Sequence, residues 1–194
     1  MEIGATKAVQ DRLKTTKIEE SKGASLVFCW DTHLTKIKGR NVLFIVNASN
    51  RYTIAMTDIE PRNWNYYAMY IIRVIHGMMQ EMGYSEEQIE QYFKMSGDTT
   101  ITKTHGRKSV GGINRMVMDA QYFGKKLEKE AKYQWELSEY LNRDICQPEG
   151  FDAYGYPNEL FKLDMERLGI ATKRKPAKVI DFAQYIENNR GTND

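Results

Sequence analysis

The sequence predicts an α+β fold, with an antiparallel sheet of about four or five strands packed with helices and a helical C-terminal extension. Three β-rich runs, SLVFCW, NVLFIVN and YTIAMT, follow one another between residues 25 and 57. The last two flank Ala48-Ser49-Asn50-Arg51, and because Asn tolerates positive φ this segment is typical of a hairpin turn. Beyond residue 60, apolar residues recur at helical spacings of three and four. We therefore expect a main α+β domain over residues 1–145 and a helical extension over 146–194.

Local signals give the boundaries of two helices. Pro61 stands where a first-turn proline is favourable, and Gly83 follows the last apolar residue of the same helix. Ser85 and Gln88 have the spacing of a capping box, which predicts the start of a second, shorter helix.

A long helix is predicted after a strand-like run over residues 99–104. Ser109 is expected to cap this helix, whose apolar positions continue at helical spacing as far as Leu141. Gly124 is expected to bend it. The mixed charges of its second half indicate a solvated face.

A basic loop joins that predicted strand to that predicted helix within TTITKTHGRKSVGGINR, residues 99–115. The segment has no acidic residue, and its cationic or titratable side chains are Lys103, His105, Arg107, Lys108 and Arg115. Backbone N–H groups at a helix start, the helix dipole and nearby cations suit an anion. A solvated turn explains the same residues and stays open as an alternative. The spacing from Gly97 to Gly106 does not fit G-x-x-x-x-G-K-[ST], which excludes a P-loop.

Composition limits the class of protein. The chain has 194 residues, with 28 basic and 26 acidic side chains, so any polyanion binding has to be local rather than a property of the whole surface. Two cysteines do not make a disulfide framework. No stretch approaches the roughly 18 apolar residues of a membrane span, and the N-terminus has no apolar signal core. We expect a soluble cytoplasmic protein with no membrane contact.

Polar side chains at predicted strand ends are further candidates. Asp31 and His33 share one face of a strand, as an acid–base or metal-binding pair would. One Asp and one His fall short of a zinc site, so we expect no metal and no cofactor. Arg51 suits a phosphate or a carboxylate ligand, and pairing with a structural carboxylate explains it equally well. The familiar G-x-S-x-G, H-E-x-x-H and C-x-x-C motifs are absent.

Several of these residues form a recurring set of motifs. They are W-x-x-H at Trp30 to His33, a basic Arg40 before NVLFIVN, V-N-x-S-x-R-Y from residue 46 to 52, and T-K-T…R-x-S from residue 102 onward, leading to Asn114. On these motifs the chain resembles a bacterial domain family of unknown function over roughly residues 1–120. Where that family usually has an Arg-Lys-like pair before the strand, this chain has Gly39-Arg40. The resemblance implies no activity, but it groups the polar motifs into one cationic pocket with a titratable histidine.

The leading hypothesis is an intracellular protein that binds an anionic ligand, either a nucleotide or a nucleic-acid backbone, without catalysis. One alternative is a metal-independent phosphodiesterase or RNase with His33 or His105 as general acid–base. Another is a protein-interaction module, including a homo-oligomer formed through the C-terminal helices. The predicted ligand-binding residues are Trp30, His33, Arg40, Asn47, Arg51, Lys103, Thr104, Arg107, Lys108 and Asn114.

Overall fold

The α+β class is confirmed by a computed structural model that describes residues 1–14 and 18–172. Within those residues, no helix is long and apolar enough to cross a membrane. A single 3-10 turn, Leu26–Phe28, precedes the second strand. The strands are β1 (Glu2–Ala5), β2 (Cys29–Ile37), β3 (Arg40–Asn47), β4 (Thr53–Thr57) and β5 (Thr100–Thr102); the helices are α1 (Lys7–Leu13), α2 (Pro61–Asn65), α3 (Tyr67–Glu81), α4 (Glu86–Ser96), α5 (Gly106–Gln121), α6 (Trp135–Asn142) and α7 (Pro157–Arg167).

The strands form one mixed sheet in the order β4-β3-β2-β1-β5. Strands β2, β3 and β4 pair antiparallel, as predicted, but most of the first β-rich run forms the 3-10 turn Leu26–Phe28, and β2 begins only at Cys29. Strand β1 is parallel to both of its neighbours, β2 and β5, which the sequence did not indicate. The predicted hairpin turn follows β3, and the residue with positive φ in it is Arg51, at 62°, rather than an asparagine.

The two faces of the sheet are covered differently. On the first face, Leu43 and Ile45 of β3 belong to a large apolar core with side chains from α1, α3, α4 and α7. On the second face, the alternate residues Val42, Phe44 and Val46 pack against α5 and α6. This alternation follows from the period of two in a strand. The domain boundary proposed after residue 145 stays a prediction.

Several predicted helix boundaries are confirmed. Pro61 is the first residue of α2, and Ser85 and Gln88 form the capping box of α4 with both of its hydrogen bonds present. Gly83 follows the C-terminus of α3 with a φ of 85°. The predicted helix from Pro61 is divided at Tyr66 into α2 and α3.

The single long helix predicted from Ser109 to Leu141 is wrong. The chain instead forms α5 and α6, with residues 122–134 non-helical between them. In this connecting segment, long-range hydrogen bonds replace helical ones. Lys132 O accepts from Thr57 N at 2.7 Å, and Gln134 N donates to Ala55 O at 2.9 Å. The connection therefore runs along β4, which local sequence periodicity does not reveal.

Polar side chains of α6 complete the outer edge of β4. Asn142 accepts from Thr53 N through Oδ1 and donates to Thr53 O through Nδ2, both at 2.8 Å. One turn earlier, Ser138 Oγ accepts from Ala55 N at 3.0 Å. These buried side chains act as a substitute strand, and they block the pairing that an open edge invites.

We expect Asn142→Leu to lower the free energy of unfolding by about 2 to 4 kcal/mol, because it leaves two buried backbone groups of Thr53 without partners. Urea unfolding followed by circular dichroism measures the change. Arg143→Leu is the control, since it removes only an exposed salt bridge with Glu139 and should cost less than about 1 kcal/mol. Equal losses in the two variants would contradict the role given to Asn142.

Candidate functional site

A buried imidazole lies between two buried carboxylates on the second face of the sheet. His105 Nδ1 is 2.7 Å from Asp31 Oδ1, and His105 Nε2 is 3.0 Å from Glu2 Oε2. The three side chains are at most 5 % exposed. Because each nitrogen faces a carboxylate oxygen, the geometry fits a doubly protonated imidazolium that donates on both sides. We call Glu2, Asp31 and His105 the carboxylate–histidine network.

The parallel pairing of β1 with β2 creates this network. The register places Gly4 beside Asp31 and Glu2 beside Cys29, so these residues share a face. A Cβ on Gly4 would lie 1.8 Å from Asp31 Oδ1 and 3.1 Å from His105 Nδ1. Only glycine therefore leaves room for the Asp31 carboxylate and the His105 ring above the strand. A glycine inside a strand is a signal of such close approach.

The network changes the pKa values of its members. Burial alone lowers the pKa of His105, but its hydrogen bond to Asp31 and the nearby Cys29 outweigh burial and raise the pKa to about 10. Burial alone raises the pKa of Glu2, whereas hydrogen bonds from Ser21, from the Lys22 amide and from His105 hold it below its ordinary value. Both shifts favour the charged forms of the pair.

The start of α5 already faces an anion, and that anion is Asp31. Its carboxylate accepts from the backbone N–H of His105 at 3.2 Å and from the hydroxyl of Ser109. Ser109 is therefore not the helix cap that the sequence predicted, since α5 begins earlier, at Gly106, whose φ is 84°. An internal carboxylate thus occupies the position in which an external anion was expected.

A separate cationic pocket of about 240 Å³ lies beside the first turns of α5. Asn47 at the end of β3 and Arg51 in the following turn form one wall, and α5 contributes Lys108 and Arg115. The third wall is the loop after α6, at residues 147–149, whose Glu149 is the one acidic residue among the described lining residues. We call this the cationic pocket.

Close packing holds Arg51 against α5. Its side chain lies over Gly112, where an added Cβ would be 3.3 Å from Arg51 Nε, and its guanidinium donates to Gly112 O at 3.2 Å. Lys108 Nζ donates to Pro148 O at 3.3 Å, whereas Arg115 pairs with Asp119. Within the described residues, neither Arg51 nor Lys108 forms a salt bridge. In the part of the chain that the structure describes, neither cation is therefore paired with a carboxylate, although Glu149 also lines the pocket.

The pocket unites three of the residues predicted to bind ligand, namely Asn47, Arg51 and Lys108. Thr104, Arg107 and Asn114 line a shallower groove beside it, and Gly111 of α5 borders both depressions. Arg115 lies in the basic segment but is not among the predicted ligand-binding residues, and Gly112 is not among them either. A glycine within a helix was the available signal for Gly112.

The remaining predicted residues lie elsewhere. Trp30 is in the apolar core, where its Nε1 donates to Tyr92 OH. His33 Nδ1 is 3.1 Å from Thr6 Oγ1, and burial lowers the pKa of His33. Arg40 pairs with Asp58, and Lys103 pairs with Glu20.

We expect Gly4→Ala to destabilise the fold by about 3 kcal/mol, because the new methyl group displaces the Asp31 carboxylate from its partners. Thermal unfolding measures the loss. Gly77→Ala in α3 is the matched control, since a Cβ there meets no atom within 4 Å and alanine favours a helix by up to about 1 kcal/mol. A Gly4→Ala protein as stable as the wild type would contradict the proposed packing.

Stability should fall as the pH rises through the titration of His105. Its pKa is raised in the folded chain from 6.5 to about 10, so its contribution is complete below pH 6.5 and is lost as the pH approaches 10. Melting temperatures between pH 6 and 10, recorded with EDTA present, measure this slope. We expect His105→Gln to flatten the slope and His76→Gln, which removes a half-exposed histidine, to leave it unchanged. Parallel profiles for all three proteins would contradict the assignment.

Comparison with known proteins supplies a family and no activity. No curated protein and no solved structure matches the chain. The model of a domain family described as a domain of unknown function, DUF6933, matches residues 2–160 and so covers both the carboxylate–histidine network and the cationic pocket. The expectation of a family of unknown function is thereby confirmed, and the chain belongs to the DUF6933 family.

Proposed function

We propose that this domain binds an anionic ligand, a nucleotide or a nucleic-acid backbone, through a phosphate group held in the cationic pocket. The observation that carries the proposal is the convergence of Arg51 and Lys108, both without a salt bridge in the described structure, on a single depression. A guanidinium beside an ammonium suits a phosphate, because one offers a planar pair of donors and the other a point charge.

The volume of the pocket limits what enters it. Sites that enclose a drug-sized ligand measure about 300 to 1,000 Å³, whereas this pocket measures about 240 Å³. It therefore accommodates the phosphate group and leaves the sugar and base outside. The groove with Arg107 and Asn114 continues past Gly111 and offers a path for a longer ligand.

The described geometry does not favour the enzymatic alternative over simple binding. None of the described residues that line the pocket is a histidine. His105 is enclosed by carboxylates and His33 contacts Thr6, so neither imidazole is beside the cations. The phosphodiesterase alternative stays a prediction. The interaction-module alternative depends on the C-terminal sequence VIDFAQYIENN, residues 179–189, whose apolar pattern is amphipathic and which lies outside the described residues.

Pyrophosphate and a fluorescent single-stranded oligonucleotide are suitable probes. We expect Arg51→Gln and Lys108→Gln each to weaken the binding of both probes about 10-fold or more, because each removes a charge-assisted hydrogen bond. Fluorescence anisotropy, with pyrophosphate as competitor, measures the dissociation constants at low salt. Binding should weaken as salt is raised, since cations that contact phosphate release counterions.

Two variants give this experiment its controls. Arg143→Gln removes one positive charge from an exposed site immediately after α6 and should leave both affinities unchanged. Arg107→Gln should weaken the oligonucleotide more than pyrophosphate, because the groove meets only the longer ligand. Absence of binding at low salt, or equal losses in Arg51→Gln and Arg143→Gln, would refute the proposal.

A further inference from the structure

We propose that Glu2, Cys29 and His105 form a binding site for a divalent transition-metal ion, with Zn²⁺ as the preferred occupant. The site is separate from the cationic pocket, and the proposal does not depend on anion binding.

The three donor atoms are close enough to share one ion. A carboxylate oxygen of Glu2, the thiol sulfur of Cys29 and a ring nitrogen of His105 lie within 4.8 Å of one another. The pair with a measured separation, His105 Nε2 and Glu2 Oε2, is 3.0 Å apart. Bond lengths of about 2.0 to 2.3 Å place tetrahedral zinc ligands roughly 3.3 to 3.8 Å apart, so small side-chain shifts suffice.

The fold holds these donors on elements with fixed relative positions. Glu2 and Cys29 are direct partners across the parallel pair of β1 and β2, and His105 immediately precedes α5. All three residues are buried. A site assembled from two paired strands and a helix start is largely formed before an ion arrives.

Surrounding hydrogen bonds orient two of the three metal ligands, His105 and Glu2, as they do in known metal sites. Asp31 Oδ1 accepts from His105 Nδ1 at 2.7 Å, which turns Nε2 toward Glu2. Histidine ligands in metalloproteins commonly donate their second ring N–H to a carboxylate in this way. The Glu2 carboxylate accepts hydrogen bonds from Ser21 Oγ at 2.6 Å and from the backbone N–H of Lys22 at 2.8 Å.

The donor set selects the class of ion. Thiolate, imidazole and carboxylate together suit Zn²⁺ and similar borderline ions, whereas Ca²⁺ and Mg²⁺ prefer oxygen ligands alone. Three protein ligands leave one tetrahedral position for water, as in catalytic rather than structural zinc sites.

The net charge of the site also permits a metal ion to replace two protons. Without an ion, two carboxylates and one imidazolium give the network a net charge of −1. On binding, the Nε2 proton of His105 and the thiol proton of Cys29 pass to solvent, and bonds from the nitrogen and the sulfur to the ion replace them. A dication with two carboxylates, one thiolate and a neutral imidazole again sums to −1, so burial imposes no additional net charge.

Cobalt provides the direct test because a Co²⁺–thiolate bond gives an intense near-ultraviolet absorption band. The full chain, without a histidine tag, is treated with EDTA, desalted and titrated with Co²⁺ or Zn²⁺. The sequence has only two cysteines, so Cys146→Ser leaves Cys29 as the single thiol. We expect one ion per chain and a full thiolate band in both the wild type and Cys146→Ser.

Removal of a ligand or its support should weaken binding by a measurable factor. Cys29→Ser should abolish the thiolate band and raise the Zn²⁺ dissociation constant at least about 100-fold, since loss of even a hydrogen-bond partner of a metal ligand typically costs about 10- to 100-fold. Arg51→Gln should bind Zn²⁺ as the wild type does. A wild-type chain that is loaded with Zn²⁺ and retains none when it is desalted a second time, or a Cys146→Ser chain without the band, would overturn the proposal whether or not Cys29→Ser folds.

Discussion

The buried carboxylate of Asp31 is the constraint on which the second face of the sheet depends. It accepts from the imidazole and backbone N–H of His105 and from the hydroxyl of Ser109. An ionised carboxylate without partners in this position would carry a large desolvation penalty, so the start of α5 is held where it supplies these donors. Lys108 and Gly112, which follow on the same helix, take their positions beside Arg51 as a consequence.

This arrangement determines how the cationic pocket attracts an anion. Asp31 already accepts from the backbone N–H of His105 and from the hydroxyl of Ser109, so these two groups at the start of α5 are not free for an external ligand. Attraction must come instead from side chains on the flank of the helix, chiefly Arg51 and Lys108. The neighbouring loop is also fixed, since Gly150 N donates to Ser49 O at 2.9 Å and brings the third wall against the hairpin turn.

Features with a local signal can be predicted from this sequence. The alternating strands β3 and β4, the turn between them and the capping box of α4 all follow from residues within a few positions of one another. Features that depend on a partner distant in the sequence cannot. Asp31 was paired with His33 by spacing, but its partner is His105, 74 residues away. Arg51 and Lys108 were identified individually, yet their meeting depends on the packing of α5 against the hairpin, which periodicity does not encode.

The break between α5 and α6 shows why a polar helix stripe is ambiguous. Gln134, Ser138 and Asn142 recur every four residues, and in sequence they resemble the solvated face of a continuous helix. All three are buried, and they satisfy backbone or side-chain groups of β4. Directional polar bonds therefore locate both helices on the second face, through Asp31 for α5 and the β4 edge for α6. Apolar packing alone lets a helix slide along the sheet, whereas directional hydrogen bonds fix its position. The cationic pocket is built from the flank of α5, a turn and a loop, so it requires that fixed position.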